Sequence, residues 1–230
     1  MNSKITLITF LLVITLFSCK KESPFTDFKY ADKPVAFACE GVNSKLLNEA
    51  LYSFEDDIAN HYNKGIPNPR LDKAYSQILR NSAFGRLKLE DIVSKHTVSV
   101  FEALKKEDNL WDSTNPKSHL NYNSATLKCI SNSIKDTNTK TTLNALLSTN
   151  SMAPKLFAPA IVNKYRNALN DRSLAMYIAL DLYYAKMFDV DFSKVNLDKP
   201  EQDVDFNKLP ALEKPTMQKP AVDPHAGHNH

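Results

Sequence analysis

The sequence predicts an all-α fold: a compact bundle of six to seven helices around a buried last helix, with a disordered N-terminal tether and C-terminal tail. Apolar residues recur every three or four positions through most of residues 44–188, the spacing that places them on one face of a helix. Over residues 174–184, every residue except Asp181 is apolar or aromatic. A helix that is apolar on all sides is typical of the middle of a bundle, and this run is too short to span a membrane.

The first two helices are predicted from their apolar faces and from the residues that begin and end helices. Gly65 suits the left-handed residue that follows the first helix. Asn68 and Pro69 form a good N-cap and first-turn pair for the second helix, which Gly85 ends. The apolar face of the first helix comprises Leu46, Leu47, Ala50, Leu51, Phe54, Ile58 and Tyr62.

The rest of the domain is predicted to contain five further helices. A third helix is expected over residues 88–107, a fourth over 122–134 and a short fifth over 139–148. The stretch that holds the fifth helix is rich in Ser, Thr and Asn, which compete for backbone hydrogen bonds and weaken helices. Another helix opens at Pro154, and Asp171 is a good N-cap for the last one, which is expected to run to Phe188.

Composition argues against two classes of function. The chain has 230 residues and a net charge of +3, and loss of residues 1–18, whose one charged side chain is Lys4, would leave +3 − 1 = +2. Such a small charge, without a stripe of basic and aromatic residues, argues against a nucleic-acid partner. The four glycines do not cluster, which argues against a phosphate-binding loop.

The first residues have the pattern of an export signal. Lys4 precedes an apolar run over residues 5–17, as in a secretory signal peptide. The run ends in the sequence Leu16-Phe17-Ser18-Cys19, which resembles the lipobox of bacterial lipoproteins. The resemblance implies that residues 1–18 are removed, that the Cys19 sulfur receives diacylglycerol, and that the new N-terminus is acylated, for example with palmitate. An ordinary signal peptide with an incidental Cys19 is the alternative.

The residue after the cysteine bears on the compartment. In the lipoprotein family, Asp at this place often marks retention in the inner membrane, whereas Lys20 stands here. The resemblance therefore implies an envelope protein anchored by lipid to the outer membrane, on its periplasmic face or at the cell surface.

The chain is expected to divide into four regions. Residues 1–18 are the signal peptide, and residues 19–38, which are polar and contain two prolines, form a flexible tether. Residues 39–192 form the helical domain. Residues 193–230 form a proline-rich disordered tail that ends in a histidine cluster.

Cys39 and Cys129 remain once Cys19 is lipidated. Outside the cytoplasm two cysteines tend to pair, so a disulfide between them is expected. Two separate buried thiols are the alternative.

The C-terminus carries three imidazoles within six residues, at His225, His228 and His230. Neutral imidazole is a ligand for both copper and zinc, so the tail is a candidate site for either metal. The alternative is a solvated tail that binds metal only when metal is abundant, because no preformed cage supports the ligands.

Charged residues on two predicted helices suggest further sites. Asp181 lies in the apolar last helix, where a carboxylate needs partners because burial of a bare charge is unfavourable. Lys164, Arg166 or Arg172 on the preceding helix could supply a cation, which favours a structural role for Asp181, with a catalytic role as the alternative. On the first helix, Glu55, Asp57 and His61 are interpreted as a solvated acidic face, with a metal site as the alternative.

The sequence contains no recognisable catalytic motif. It therefore favours a binding or scaffold module, held at the membrane by its N-terminal lipid and able to contact an envelope protein or a glycan. A copper- or zinc-binding lipoprotein that uses the histidine cluster is the first alternative. An envelope hydrolase with scattered acidic residues is the second.

Overall fold

The computed structural model describes residues 25–198, and this part of the chain is all-α. Its extended pairing is limited to one antiparallel bridge between Trp111 and Leu120. The helices are α1 (Ser44–Tyr62), α2 (Leu71–Ala83), α3 (Lys95–Leu104), α4 (Ala125–Ser133), α5 (Thr137–Ser148), α6 (Pro154–Ile161), α7 (Asn167–Asn170) and α8, which consists of Arg172–Ala179, Leu180–Tyr184 and Ala185–Met187. Seven of these described helices have at least eight residues, which confirms the predicted fold class.

Several sequence predictions lie outside the described residues. These are the signal peptide, the lipidation site Cys19, the first residues of the tether, and the tail from residue 199 with His225, His228 and His230.

Helix α8 is the buried centre of the bundle, as the sequence predicts. Asp171 caps it by accepting a hydrogen bond from the Leu174 amide, and every residue of 174–185 is at most 2% exposed. Residues Leu180–Tyr184 form a π-helical turn, which holds one residue more than an α-helical turn and so changes the faces that the following side chains present.

Helix α1 is the second central element. It packs against α2, α3 and α8 and is buried on most of its circumference. The Asn43 side chain caps it by accepting a hydrogen bond from the Leu46 amide. Because partners surround α1, its polar side chains must find hydrogen bonds inside the protein.

Three predicted helix starts are wrong. The fourth helix begins at Ala125 rather than residue 122, because Ser124 caps it. The third helix begins at Lys95 rather than residue 88, because Ser94 caps it by accepting from the Thr97 amide and a 3-10 turn, Leu89–Asp91, precedes it. The second helix begins at Leu71, after the predicted Asn68 and Pro69 pair, because the Arg70 amide donates to the Asn63 side chain instead of entering the helix.

The predicted tether and tail both extend too far into the chain. Residues 25–38, here called the N-terminal segment, lie against α1. Polar side chains of α1 accept hydrogen bonds from the backbone of this segment. The Asn48 Oδ1 atom accepts from the Ala36 and Phe37 amides at 2.7 and 3.0 Å. At the other end, Val195 and Leu197 pack against the core, beyond the predicted domain limit at residue 192.

Candidate functional site

Two adjoining cavities form a depression on the described surface, and we call them together the cleft. The first has a volume of about 600 Å³ and the second about 560 Å³. Both are lined by Asn43, Lys106 and Glu107, so these residues stand where the cavities meet. The surrounding walls come from the loop before α1, the segment after α3, the start of α4 and the N-terminal segment.

Asn43 joins two walls of the cleft. Its Oδ1 atom caps α1, and its Nδ2 atom donates to Glu107 Oε1 at 2.7 Å. Gly41 precedes it with a φ angle of +71°, which a residue with a side chain rarely adopts. The loop before α1 is thereby held against the segment that follows α3.

Asparagine side chains fix the wall between α3 and α4. Asn109 has a positive φ angle of 58°, and its carbonyl oxygen accepts from Asn121 Nδ2 at 2.9 Å. The Asn121 Oδ1 atom in turn accepts from the Asn123 amide at 2.9 Å. Ser124 then caps α4, so this wall is built from hydrogen bonds between loops rather than from helices.

The two cysteines predicted to pair lie close to each other. Cys39 and Cys129 are at disulfide distance, with their Cα atoms 6.3 Å apart. Cys39 leads into the loop before α1, and Cys129 lies within α4. A bond between them would tie this loop to α4.

Aromatic rings give the second cavity a different character. The rings of Phe25 and Phe28, both from the N-terminal segment, pack edge to face with their centroids 5.0 Å apart. The Lys45 ammonium lies 3.9 Å from the centroid of the Phe28 ring. The cleft thus combines an amide-rich half with a half lined by aromatic and aliphatic groups, a combination suited to holding a ligand that presents both polar and apolar surface.

Asp181 is fully buried, as predicted, but its partners are hydroxyl groups. Ser118 Oγ donates to it at 2.6 Å, Tyr177 at 2.7 Å and Tyr122 at 3.2 Å. Burial raises the pKa of the Asp181 carboxyl, and the three hydroxyl donors reduce this effect without reversing it. The three hydroxyl groups satisfy the buried carboxylate with hydrogen bonds, as a structural role requires.

The predicted cation partners of Asp181 are wrong. Each of the three basic residues pairs with a carboxylate other than Asp181. Their acidic neighbours are Asp136 for Lys164, Asp72 for Arg166 and Glu55 for Arg172.

The predicted solvated acidic face of α1 is also wrong. Glu55 and Asp57 are 6% and 4% exposed. Asp57 accepts from the Tyr183 hydroxyl at 2.5 Å and from the Ser94 amide at 3.1 Å, and burial raises its pKa to about 6. His61 instead lies near the Asp91 carbonyl oxygen. Among the described residues, no three His, Cys, Asp or Glu side chains are grouped as a metal site would need.

Sequence reasoning missed the residues of the cleft. Asn43 and Asn121 have the appearance of ordinary turn and cap residues, and Glu107 was placed inside a helix. Asn121 and Asn123, just before the Ser124 cap, were the sequence signal for this wall, because asparagine side chains bind neighbouring loop backbone.

No family model, curated protein or solved structure matches the chain. Within residues 25–198, no helix has the length and apolar character needed to cross a bilayer.

Proposed function

We propose that the protein is a lipoprotein of the cell envelope, anchored to the outer membrane through acylated Cys19, and that its helical domain is a binding module. In this proposal an envelope protein or a glycan occupies the cleft. The lipobox resemblance at residues 16–19 supports the anchor, and the cleft supports the binding role.

One observation carries the proposal: the cleft wall is built from the chain that leads directly away from Cys19. Phe25 lines the second cavity and lies 25 − 19 = 6 residues after the cysteine. Six residues span at most about 20 Å when fully extended. An acylated Cys19 would therefore hold the cleft close to the membrane surface, within reach of membrane-bound partners.

The cysteine pair supports the compartment. We propose that Cys39 and Cys129 are oxidised to a disulfide, because such bonds persist outside the cytoplasm and are rare inside it. Mass spectrometry of the unreduced protein after thiol alkylation is expected to find neither cysteine alkylated. Alkylation of both would contradict an oxidising location.

Metabolic labelling with palmitate tests the anchor. Label is expected in the wild-type chain and in Cys129→Ala, which keeps the acylated cysteine, but not in Cys19→Ala. Failure to label the wild type, or continued labelling and normal processing of Cys19→Ala, would overturn the lipoprotein assignment.

Site-specific crosslinking in intact cells tests the cleft. A photoreactive amino acid replaces exposed Asp108, which lines the first cavity, or exposed Lys155 on α6 as the control. An adduct is expected from position 108 and not from position 155. Equal adducts from both positions, or none from position 108, would contradict a binding role for the cleft.

A further inference from the structure

The carboxylate of Glu49, on α1, binds the backbone of the N-terminal segment. Its Oε1 atom accepts from the Lys29 amide at 2.7 Å, and its Oε2 atom accepts from the Tyr30 amide at 3.1 Å. The same Oε1 atom lies 2.7 Å from Nε2 of His96, on α3. Glu49 is 2% exposed, so these three contacts replace the water that the carboxylate would otherwise bind.

The His96 ring also contacts the N-terminal segment. It lies between the rings of Phe25 and Tyr30, with centroid distances of 6.4 and 5.8 Å. Its Nδ1 atom lies 3.6 Å from Asp27 Oδ2. His96 therefore contacts the segment directly and also binds the carboxylate that holds it.

The charged groups around His96 favour its protonated form. Burial of the ring opposes protonation, but the hydrogen bond and charge of Glu49, with the charge of Asp27, outweigh it. The Lys29 ammonium acts in the opposite direction. The result is that the pKa of His96 is raised above its ordinary value of 6.5.

The contact matters for the cleft because the residues it holds form a wall of the second cavity. Residues 25–28 line that cavity, whereas the bonds from Ala36 and Phe37 to Asn48 hold only the far end of the segment. Near residue 30, the Tyr30 hydroxyl and Lys29 ammonium also contact Asp56, so α1 holds this turn through two carboxylates. Of the two, Glu49 is the one bound to His96, whose ring also contacts Phe25 and Asp27 in the wall itself.

We propose that the protonated His96–Glu49 pair fixes the N-terminal segment as a wall of the cleft, and that loss of the His96 proton in alkaline solution releases the segment and widens the cleft. A neutral imidazole can still share a hydrogen bond with Glu49, but it no longer offsets the charge of the buried carboxylate. A histidine whose pKa is raised in the folded state stabilises that state below its unfolded pKa, and the effect is lost as the pH rises through the folded pKa. The significance of the widening rests on the proposed function, whereas the movement itself does not.

Hydrogen exchange of the full chain tests the inference. Protection of the Lys29 and Tyr30 amides, normalised to intrinsic exchange rates, is compared at about pH 6 and about pH 9, on either side of the expected histidine titration. In the wild type, we expect protection of these two amides to fall several-fold from about pH 6 to about pH 9, while protection of the amides of residues 174–185 changes little. In His96→Gln, the low protection should be the same at both pH values. His119→Gln, which alters a more exposed contact with Asp189, should behave as the wild type.

A second measurement decides the question if His96→Gln does not fold. In wild-type protein followed by nuclear magnetic resonance, the Lys29 and Tyr30 amide signals should titrate with the same midpoint as the His96 ring. Different midpoints, or protection that does not depend on pH, would overturn this inference and leave the crosslinking result intact. Absence of the position 108 adduct would instead overturn the proposed function alone.

Discussion

Arg172 and Glu55 are 117 residues apart in the sequence and form a two-point ion pair that joins the two central helices. The Arg172 Nη1 and Nη2 atoms lie 2.7 and 2.9 Å from Glu55 Oε1 and Oε2. The Tyr75 hydroxyl, from α2, donates to the same carboxylate at 2.7 Å. Three helices therefore meet at one carboxylate.

Removal of the guanidinium is expected to destabilise the domain. Arg172→Met keeps much of the side-chain volume but leaves the Glu55 carboxylate buried without a cation, which typically lowers the free energy of unfolding by about 3–5 kcal/mol. Urea denaturation measures the change. Arg70→Ala is the matched control, because the Arg70–Asp72 pair is 54% exposed on the arginine side and solvent screens such a pair, so a much smaller loss is expected. Equal losses in the two variants would show that the pair with Glu55 has no special role.

Stability is expected to fall as the pH rises through the titration of Asp57. The folded pKa of about 6 lies above the ordinary aspartate value of 3.8, so the folded state binds the proton more tightly. This contribution is fully present below about pH 4 and lost by about pH 7, and it amounts to about 3 kcal/mol. Urea denaturation across this range should show the decline in the wild type and a flatter profile in Asp57→Asn. Asp189→Asn, at a carboxylate that is 71% exposed, should retain the wild-type slope, and a wild-type slope in Asp57→Asn would contradict the prediction.

Replacement of Asp181 should reduce stability without changing the proposed lipid attachment at Cys19. In Asp181→Asn, an amide nitrogen faces hydroxyl groups that now donate to the carboxylate, so about 2 kcal/mol of the free energy of unfolding should be lost. Tyr122→Phe removes one donor of the three and should lose about 1 kcal/mol. Thermal and urea denaturation measure both, and palmitate labelling serves as the unaffected readout. Wild-type stability in Asp181→Asn would contradict the structural role.

The histidine cluster is expected to bind copper or zinc with modest affinity. Deletion of the residues after Pro224 removes His225, His228 and His230 together, so calorimetric titration with either metal should lose its binding signal. His119→Gln in the full chain should bind as the wild type does. Equal metal binding by the full and shortened chains would show that the histidine cluster is not the metal site.

The regular spacing of apolar residues was sufficient to predict the helices that pack through apolar side chains. The fully buried α8 and its Asp171 cap follow from short-range pattern alone, because both depend on residues within a few turns. The limits of α3 could not be predicted in the same way. Leu89 and Ile92 are buried and imitate a helical face, yet the Ser94 cap starts the helix after them.

The partners of the buried acids could not be predicted, because they come from distant parts of the chain. Glu55 meets Arg172, and Asp57 meets Tyr183, across separations of 117 and 126 residues. One general signal was present. Buried tyrosine hydroxyls need acceptors, so a chain with several core tyrosines also needs buried oxygen atoms that accept their hydrogen bonds.

The proposed disulfide between Cys39 and Cys129 would have a mechanical consequence. If the proposed anchor at Cys19 were pulled, tension would run along the N-terminal segment and reach Cys39 before it reached α1. A covalent link at that point passes the load into α4, so the hydrogen bonds that begin α1 are shielded from stretching. The domain should then keep its shape under a pull that would peel the segment away from it.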